Sequence, residues 1–342
     1  MLGCSDPGYA PSKIFKYQSH QFLQGTEETI ETEIKAMRKI GKQPSDAYAQ
    51  VGSMLDKRFN VVSGGGSFVS DWLPFGRYVQ LAETNWDHFQ FGGRAWTAYV
   101  AGHTLALNKA NEVYKIKQSQ HKQEKNHHTN SRILNTTYYS YALEGHALHF
   151  LTDMFSSGHM RTPRKIFPEV CSPDAIGSYL SRYQHDEECK YGLNVTNLQG
   201  DAWRAYGDNR YLDDVNARSR VIVMDCVQNS VNEIVNVLKN GMDTKMLLLM
   251  KNGEYAASQC VPTPLTEDGA NLTPMFKWDV DAKMLMRRTE LNNLWGVDFK
   301  EHGGLEGWWS STTLIELEAI YGPPPDLPPF PNRTCLNDRL WL

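Results

Sequence analysis

The sequence predicts an all-α protein, an irregular multi-helix bundle with a less regular C-terminal extension. Three observations carry that expectation. Long stretches repeat apolar residues at helical spacing, alternating strand patterns are scarce, and glycine or proline falls where the repeats stop. A chain of 342 residues, 41% of them hydrophobic and 11% aromatic, is long and apolar enough to bury a sizeable core.

After a lead containing proline and glycine, Glu27 to Arg38 carries Ile30, Ile34 and Met37 at helical spacing, and Asp46 to Leu55 predicts a second short helix. Ser63-Gly64-Gly65-Gly66-Ser67 breaks the pattern and delivers the chain to Asp71-Trp72-Leu73-Pro74. Arg94 to Tyr114 places Ala95, Ala98, Tyr99, Leu105 and Ala106 on one side of a helix. Lys115 to Asn130, rich in Lys, Gln and His, reads as a solvated linker or a helix end. Ser131 to Phe155 predicts a long amphipathic helix, stopped by Ser156-Ser157-Gly158 with Pro163 shortly beyond. Asp174 to Gln184 gives a shorter helix. From about Asp213 to Leu238 a further long one carries Val227, Val231, Ile234, Val235 and Leu238 as its apolar stripe, with Gly241 as its stop. The remainder is less regular and finishes in Gly322-Pro323-Pro324-Pro325 through Pro331, which forbids helix and predicts an extended strap.

Charge and cysteine usage narrow the class. Lys+Arg 35 against Asp+Glu 39 gives −4 at pH 7, which disfavours a polybasic nucleic-acid or membrane module. No apolar run approaches the roughly 18 residues that span a bilayer. The first residues, Met-Leu-Gly-Cys-Ser-Asp-Pro-Gly, show no secretory signal in this numbering. Six cysteines without a CxxC pair argue against a cysteine zinc site and allow up to three disulfides. Glycosylation sequons begin at Asn135, Asn194, Asn271 and Asn332, Asn135 inside a predicted helix. Secretion is the expectation these features favour.

The chemistry concentrates in Glu144-Gly145-His146-Ala147-Leu148-His149-Phe150-Leu151-Thr152-Asp153, followed by Met154-Phe155-Ser156-Ser157-Gly158-His159. On a helix His149 and Asp153 project from one face about 6 Å apart along the axis, close enough to grip one divalent ion. Burying that pair among Ala147, Leu148, Phe150 and Leu151 is costly unless something pairs it. His159, past the glycine stop, can turn back toward the same cavity. Imidazole nitrogen with carboxylate oxygen is a donor set that suits zinc. His146, one turn before His149, reads as a donor behind the ligands or a helix-surface histidine, and His103 as a hydrogen-bonded core histidine. A second cluster, Asn85-Trp86-Asp87-His88-Phe89, follows Asp71 and adds an imidazole and an acid from loop segments. A third, His185-Asp186-Glu187-Glu188-Cys189, sets Glu188 on the helical face of His185; the alternative there is an acidic helix end.

On these residues the sequence resembles the zinc-dependent phospholipase C family, whose superfamily includes the single-strand-specific nucleases of fungi and plants. The likeness rests on His149-x3-Asp153-x5-His159 after an apolar helix, on Asp71 upstream of Asn85-Trp86-Asp87-His88-Phe89, and on their order. His185 to Glu188, Tyr191 to Val195 and Gly200 to Asp208 resemble a longer branch of these phospholipases in Gram-negative bacteria and fungi. The likeness covers roughly residues 13–240 as a catalytic domain and leaves 241–342 as an extension of unassigned role.

The resemblance implies two to three zinc ions in an all-helical fold. Asp71, His88, His149 and Asp153 would hold one, with Asp153 bridging to another that takes His20; His159 and His185 with a nearby acid would hold the last. Two departures stand out. The family's processed N-terminal ligand, often tryptophan, has no counterpart before His20, and the acid of the family's late His-x3-acid pair is replaced by Cys189. Glu188 is the expected substitute, with Glu187 or Asp186 behind it. Zinc ions sharing a carboxylate bring water toward neutral pKa for attack on a phosphodiester, and Asp71 is the expected proton acceptor as well as a ligand. Arg161 and Arg164 are candidates to pair with phosphate. Trp86, with Trp72, Phe75 and Phe91 nearby, is a candidate to hold a choline cation or stack a nucleobase. The expected substrate is phospholipid, with peripheral membrane contact at most and no stable nucleic-acid partner. The alternatives are a single-strand-specific zinc nuclease and a non-enzymatic secreted helical protein with structural zinc.

Overall fold

The computed structural model describes residues 61, 85–120, 127–171, 174–302 and 308–322. The helices expected at 27–38 and 46–55, the glycine loop at 63–67, Asp71, His20 and the strap beyond 322 lie outside them.

Two long antiparallel helices form the frame, α1 (Arg94–Gln120) and α2 (His127–Asp153). Both reach into the stretch read as a solvated linker; on the α1 side Lys115, Lys117 and Gln118 are good helix formers that stay in solvent. Short helices α3 (Ser157–Met160) and α4 (Ile166–Val170) lead to α5 (Asp174–Tyr191), which runs about two turns beyond the expected Gln184. Helix α6 (Ala217–Asn240) lies across α1 and α2 and ends at Gly241. Its buried stripe is Ile222, Val223, Cys226, Ser230, Ile234, Val237 and Leu238. Val227, Val231 and Val235 of the expected stripe are only half-buried, so the packed face is rotated from the purely apolar one. The cause of that rotation is polar. Fully buried His103 places Nδ1 2.7 Å from Glu144 Oε2 and Nε2 3.2 Å from Glu233 Oε2, and Ser230 Oγ stands 2.5 Å from Glu144 Oε1. This network joins α1, α2 and α6 at their centre, as a hydrogen-bonded core histidine should.

The all-α expectation is overturned by two three-stranded antiparallel sheets. In the first, β1 (Leu193–Thr196) lies between β2 (Ala202–Ala205) and β3 (Thr263–Pro264). In the second, β5 (Met284–Arg288) lies between β4 (Phe276–Asp279) and β6 (Phe299–His302). These strands have two to five residues, too few for alternation to stand out. The inward set of β5 also includes Arg287, which ion-pairs with Glu316, so an arginine stands where the pattern wants an apolar residue. Between α6 and β3 lies α7 (Thr244–Asn252), capped by Asp243, whose carboxylate accepts from the Met246 amide at 2.7 Å. Helix α8 (Trp308–Tyr321) closes the described fold.

Two hydrophobic cores result. The first gathers Tyr99 and Leu107 of α1, Phe150 and Leu151 of α2, Val195 and Trp203 of the first sheet, α6, and Tyr255, Cys260 and Leu272. The second joins Phe167 and Leu180 to Phe276 and Leu285 of the second sheet and Leu314 and Leu317 of α8. A disulfide, Cys226–Cys260, ties α6 to the turn after α7; Cys171 and Cys189 are free thiols. Residues on both sides of position 240 therefore share one core and one covalent link. Among the described residues no helix is long and apolar enough to cross a membrane.

Candidate metal centres

The last turn of α2 supplies the first centre. His149 and Asp153 stand one turn apart, and a 3₁₀ turn at Trp86–His88 brings a second imidazole to them. Asp153 Oδ2 lies 2.8 Å from His88 Nδ1 and 3.6 Å from His149 Nε2, and the two ring nitrogens are 3.1 Å apart. Two donors on one tetrahedral zinc, with bonds of about 2.0–2.1 Å, lie roughly 3.3 Å apart. The spacing fits. Asp153 Oδ2 is buried and, despite that closeness, makes no hydrogen bond among the described residues, as expected of an oxygen aimed at a cation. Burial lowers the His149 pKa, the nearby Asp153 charge notwithstanding, which favours the neutral ring a metal needs. His146 packs its ring edge-on to Phe150 and stands outside this group.

The second centre is built by a reversal of the chain. After α2 the backbone turns at Met154–Ser156 and buries all of α3, so that His159 faces back toward the 3₁₀ turn. There the chain segments are pinned together: His159 Nδ1 lies 2.9 Å from the His88 carbonyl, the Gln90 amide donates to the His159 carbonyl at 2.7 Å, and Phe89 stacks on the His159 ring. His185 arrives from α5 with its Nδ1 2.8 Å from Asp186 Oδ1. Both rings present Nε2 to one oxygen, Asp208 Oδ2, at 3.4 Å from His159 and 3.2 Å from His185. Ser156 Oγ donates to the other Asp208 oxygen. A ring whose outer nitrogen is held by a carbonyl or carboxylate while its inner nitrogen faces a shared point is the usual arrangement of metal-ligating histidines.

The electrostatics of this group ask for positive charge. Burial opposes protonation of His159, yet Asp208 beside it holds its pKa above the ordinary value. His185 is raised further, burial again being outweighed by its neighbours Cys189 and Asp208 and by its bonds to Asp186 and Asp208. Burial would raise Asp208, and the two imidazoles override it and hold the carboxyl well below its usual range. The carboxylate and the two rings thus favour positive charge at their meeting point. A divalent cation answers the same demand.

Asp208 is the residue that sequence reasoning missed. Glu188, the expected acid, is fully buried and paired with Arg161, whose Nη2 stands 2.9 Å from Glu188 Oε1; burial pushes the Glu188 pKa up to about 7 in spite of that arginine. The signal for Asp208 lies in the hairpin: β1 starts just after α5 and pairs Leu193 with Ala205, so the residues following β2 return to the end of α5, beside His185. The candidates for substrate contact have protein partners. Arg161 also donates to the Leu272 carbonyl, and Arg164 is buried and donates to Asn85 Oδ1 and Ser178 Oγ. Trp86 carries the Lys165 ammonium over its ring at 5.7 Å, the place a choline would take.

Two groups of three, His88–His149–Asp153 and His159–His185–Asp208, thus offer ligand atoms that converge and could each hold a metal ion. Neither a protein-family model, nor a curated protein, nor a solved structure matches the chain.

Proposed function

We propose that the chain is a zinc-dependent phosphodiester hydrolase of the phospholipase C kind, releasing diacylglycerol and a phosphorylated headgroup such as phosphocholine. The observation that carries this reading is the second centre, where two rings already engaged through Nδ1 turn Nε2 onto one carboxylate. When bound, zinc supplies Lewis acidity toward a phosphoryl oxygen and lowers the pKa of water toward neutrality. The chain's own side chains do the positioning. His88, His149 and Asp153 hold one ion and His159, His185 and Asp208 another. The His159 bonds to the His88 carbonyl and the Gln90 amide fix one centre relative to the other. Asp71 is proposed as a further ligand and as acceptor of the water proton, and His20 as a ligand of a third ion; both rest on the sequence likeness.

Asp208 is partly exposed, so the second centre opens to solvent. Tyr211, Leu212 and Val215, a few residues beyond it, are exposed apolar side chains that suit an acyl-bearing substrate. A net charge of −4 weighs against a polynucleotide. Arg161, Arg164 and Trp86, engaged elsewhere, are left out of substrate binding. The test is elemental analysis of purified protein, with hydrolysis of phosphatidylcholine and single-stranded DNA measured before and after chelation. Two or three zincs with chelator-sensitive lipid cleavage is the expected result. DNA cleavage instead moves the chain to the nuclease reading, and failure to bind zinc or to cleave either substrate after zinc is added overturns the proposal.

A further inference from the structure

We propose that Ser156 is the positioning residue of the second centre, its hydroxyl engaging one Asp208 oxygen so that the carboxylate gives a metal the other oxygen alone. The inference rests on the metal reading above. Asp208 Oδ2 faces Nε2 of His159 at 3.4 Å and Nε2 of His185 at 3.2 Å, while Oδ1 accepts from Ser156 Oγ. The rings and the hydroxyl thus divide the carboxylate between them. With two nitrogens and one oxygen as protein donors, a tetrahedral ion keeps its fourth place for water or a phosphoryl oxygen, the pattern of catalytic zinc. A carboxylate free to offer both oxygens would fill that place.

The chain around Ser156 is built for this contact. Ser156 occupies the N-cap position of α3, where a serine hydroxyl ordinarily accepts from an amide of its own helix, and it makes no such bond. It is turned to Asp208 instead. Its other contact, Cys189 Sγ at 3.7 Å, is a weak hydrogen-bonding group, so the carboxylate is the strong partner. The Ser156 backbone is tied to a ligand residue of each centre: its amide donates to the Asp153 carbonyl at 3.0 Å, and its carbonyl accepts from the His159 amide at 3.0 Å.

The backbone that carries Asp208 is fixed as well. The Ser157 amide donates to the Tyr206 carbonyl at 3.4 Å and the Gly207 amide to the Cys189 carbonyl at 3.1 Å. A Cβ on Gly207 would lie 2.5 Å from Cys189 Cα, an approach that only glycine allows. What these contacts leave undetermined is rotation about the last bond of the Asp208 side chain, a torsion with a broad minimum. One side of that carboxylate meets solvent, which would leave the rotation free. Buried Ser156 sets it.

The experiment measures zinc retained by the full chain against a graded chromophoric chelator, for the unsubstituted protein and for Ser156→Ala, Ser156→Thr and Ser157→Ala, each with its melting curve. Ser156→Ala is expected to weaken one ion by about ten- to a hundredfold, the usual cost of losing an outer partner of a metal ligand, with the affinity of every other ion kept. Ser156→Thr retains a hydroxyl on an extended backbone, φ −80° and ψ 123°, and should hold zinc as the unsubstituted chain does. Ser157→Ala loses a bond of the same turn, to the Glu188 carbonyl at 2.7 Å, but none to a ligand side chain, and should leave every ion's affinity unchanged even where its melting point falls. Unchanged zinc affinity or loss of a cooperative melt in Ser156→Ala, a weakening shared by all ions or matched in Ser157→Ala, or one not recovered in Ser156→Thr would overturn the positioning role and leave the two-centre reading intact. An unsubstituted chain that binds no zinc overturns both.

Discussion

At the scale of single residues, Asp208 and Asp186 divide two tasks that the sequence offers to a whole run of acids. Asp208 faces both ring nitrogens, whereas Asp186 holds the far side of His185 and fixes which nitrogen is free. Asp208→Asn keeps the shape and removes the charge that two imidazoles converge on. Elemental analysis is expected to show one metal fewer per chain, with turnover down at least about a hundredfold, as for loss of a group that both binds metal and sets its charge. Unchanged zinc content would exclude Asp208 as a ligand. Asp186→Asn touches no metal directly; competition with a chromophoric chelator should show zinc affinity reduced by about ten- to a hundredfold, the usual cost of losing an outer partner of a ligating histidine. His149 and Asp153 were legible because i and i+4 on one helix is a purely local relation, whereas His88, locally a polar residue at a helix start, was reached through the neighbouring cluster and the family likeness. Asp208 was not, since 23 residues and a hairpin separate it from His185.

At the scale of elements, the three long helices are held by a polar knot as well as by apolar packing. His103 on α1 stands between Glu144 on α2 and Glu233 on α6. Burial alone would keep its imidazole neutral, and the hydrogen bonds and charges of the two carboxylates prevail and raise its pKa. A histidine whose folded pKa lies above the unfolded value, about 6.5, contributes stability in full below that value and loses it as pH rises through the folded one. His103→Gln should therefore cost on the order of 3 kcal/mol at pH 6, as for one partner lost from a buried ion pair. The gap from the unsubstituted chain should narrow at alkaline pH. Melting curves across pH 5 to 10 decide it: an equal gap at both ends would mean that His103 acts through shape alone. The helices themselves were readable from periodicity, and Gly241 from its place as a stop. Short strands were not, because two to five residues give too little pattern and buried Arg287 and Arg288 replace apolar residues with paired charges.

At the scale of the molecule, the boundary drawn at residue 240 separates chain segments that the fold does not separate. Cys260 is covalently bound to Cys226 in the middle of α6, and the 34 residues this closes correspond to roughly 3–4 kcal/mol by loop entropy. Tyr255 and Leu272 are part of the first core, and β3 completes the first sheet by pairing with β1. Six of the ten buried residues of the second core, Met275, Phe276, Leu285, Leu291, Leu314 and Leu317, come after position 240. Burial of each such large side chain contributes about 1.5–3 kcal/mol, so removing several at once exceeds the 5–15 kcal/mol by which domains are ordinarily stable. The segment also reaches the second candidate metal centre. Arg161, next to α3, is held by the Leu272 carbonyl as well as by Glu188 on α5, so the brace behind His159 and His185 includes residues past 240. A chain ending at residue 240 is therefore expected to be insoluble, or soluble without a cooperative melting transition, and to bind less zinc than the full chain. If it melts cooperatively and holds its full zinc complement, 241–342 is an appendage after all and the shared cores are dispensable. Separate expression of the two parts followed by mixing sharpens the result, because recovery of a cooperative transition on mixing would show that the contacts across position 240 are enough to specify one fold.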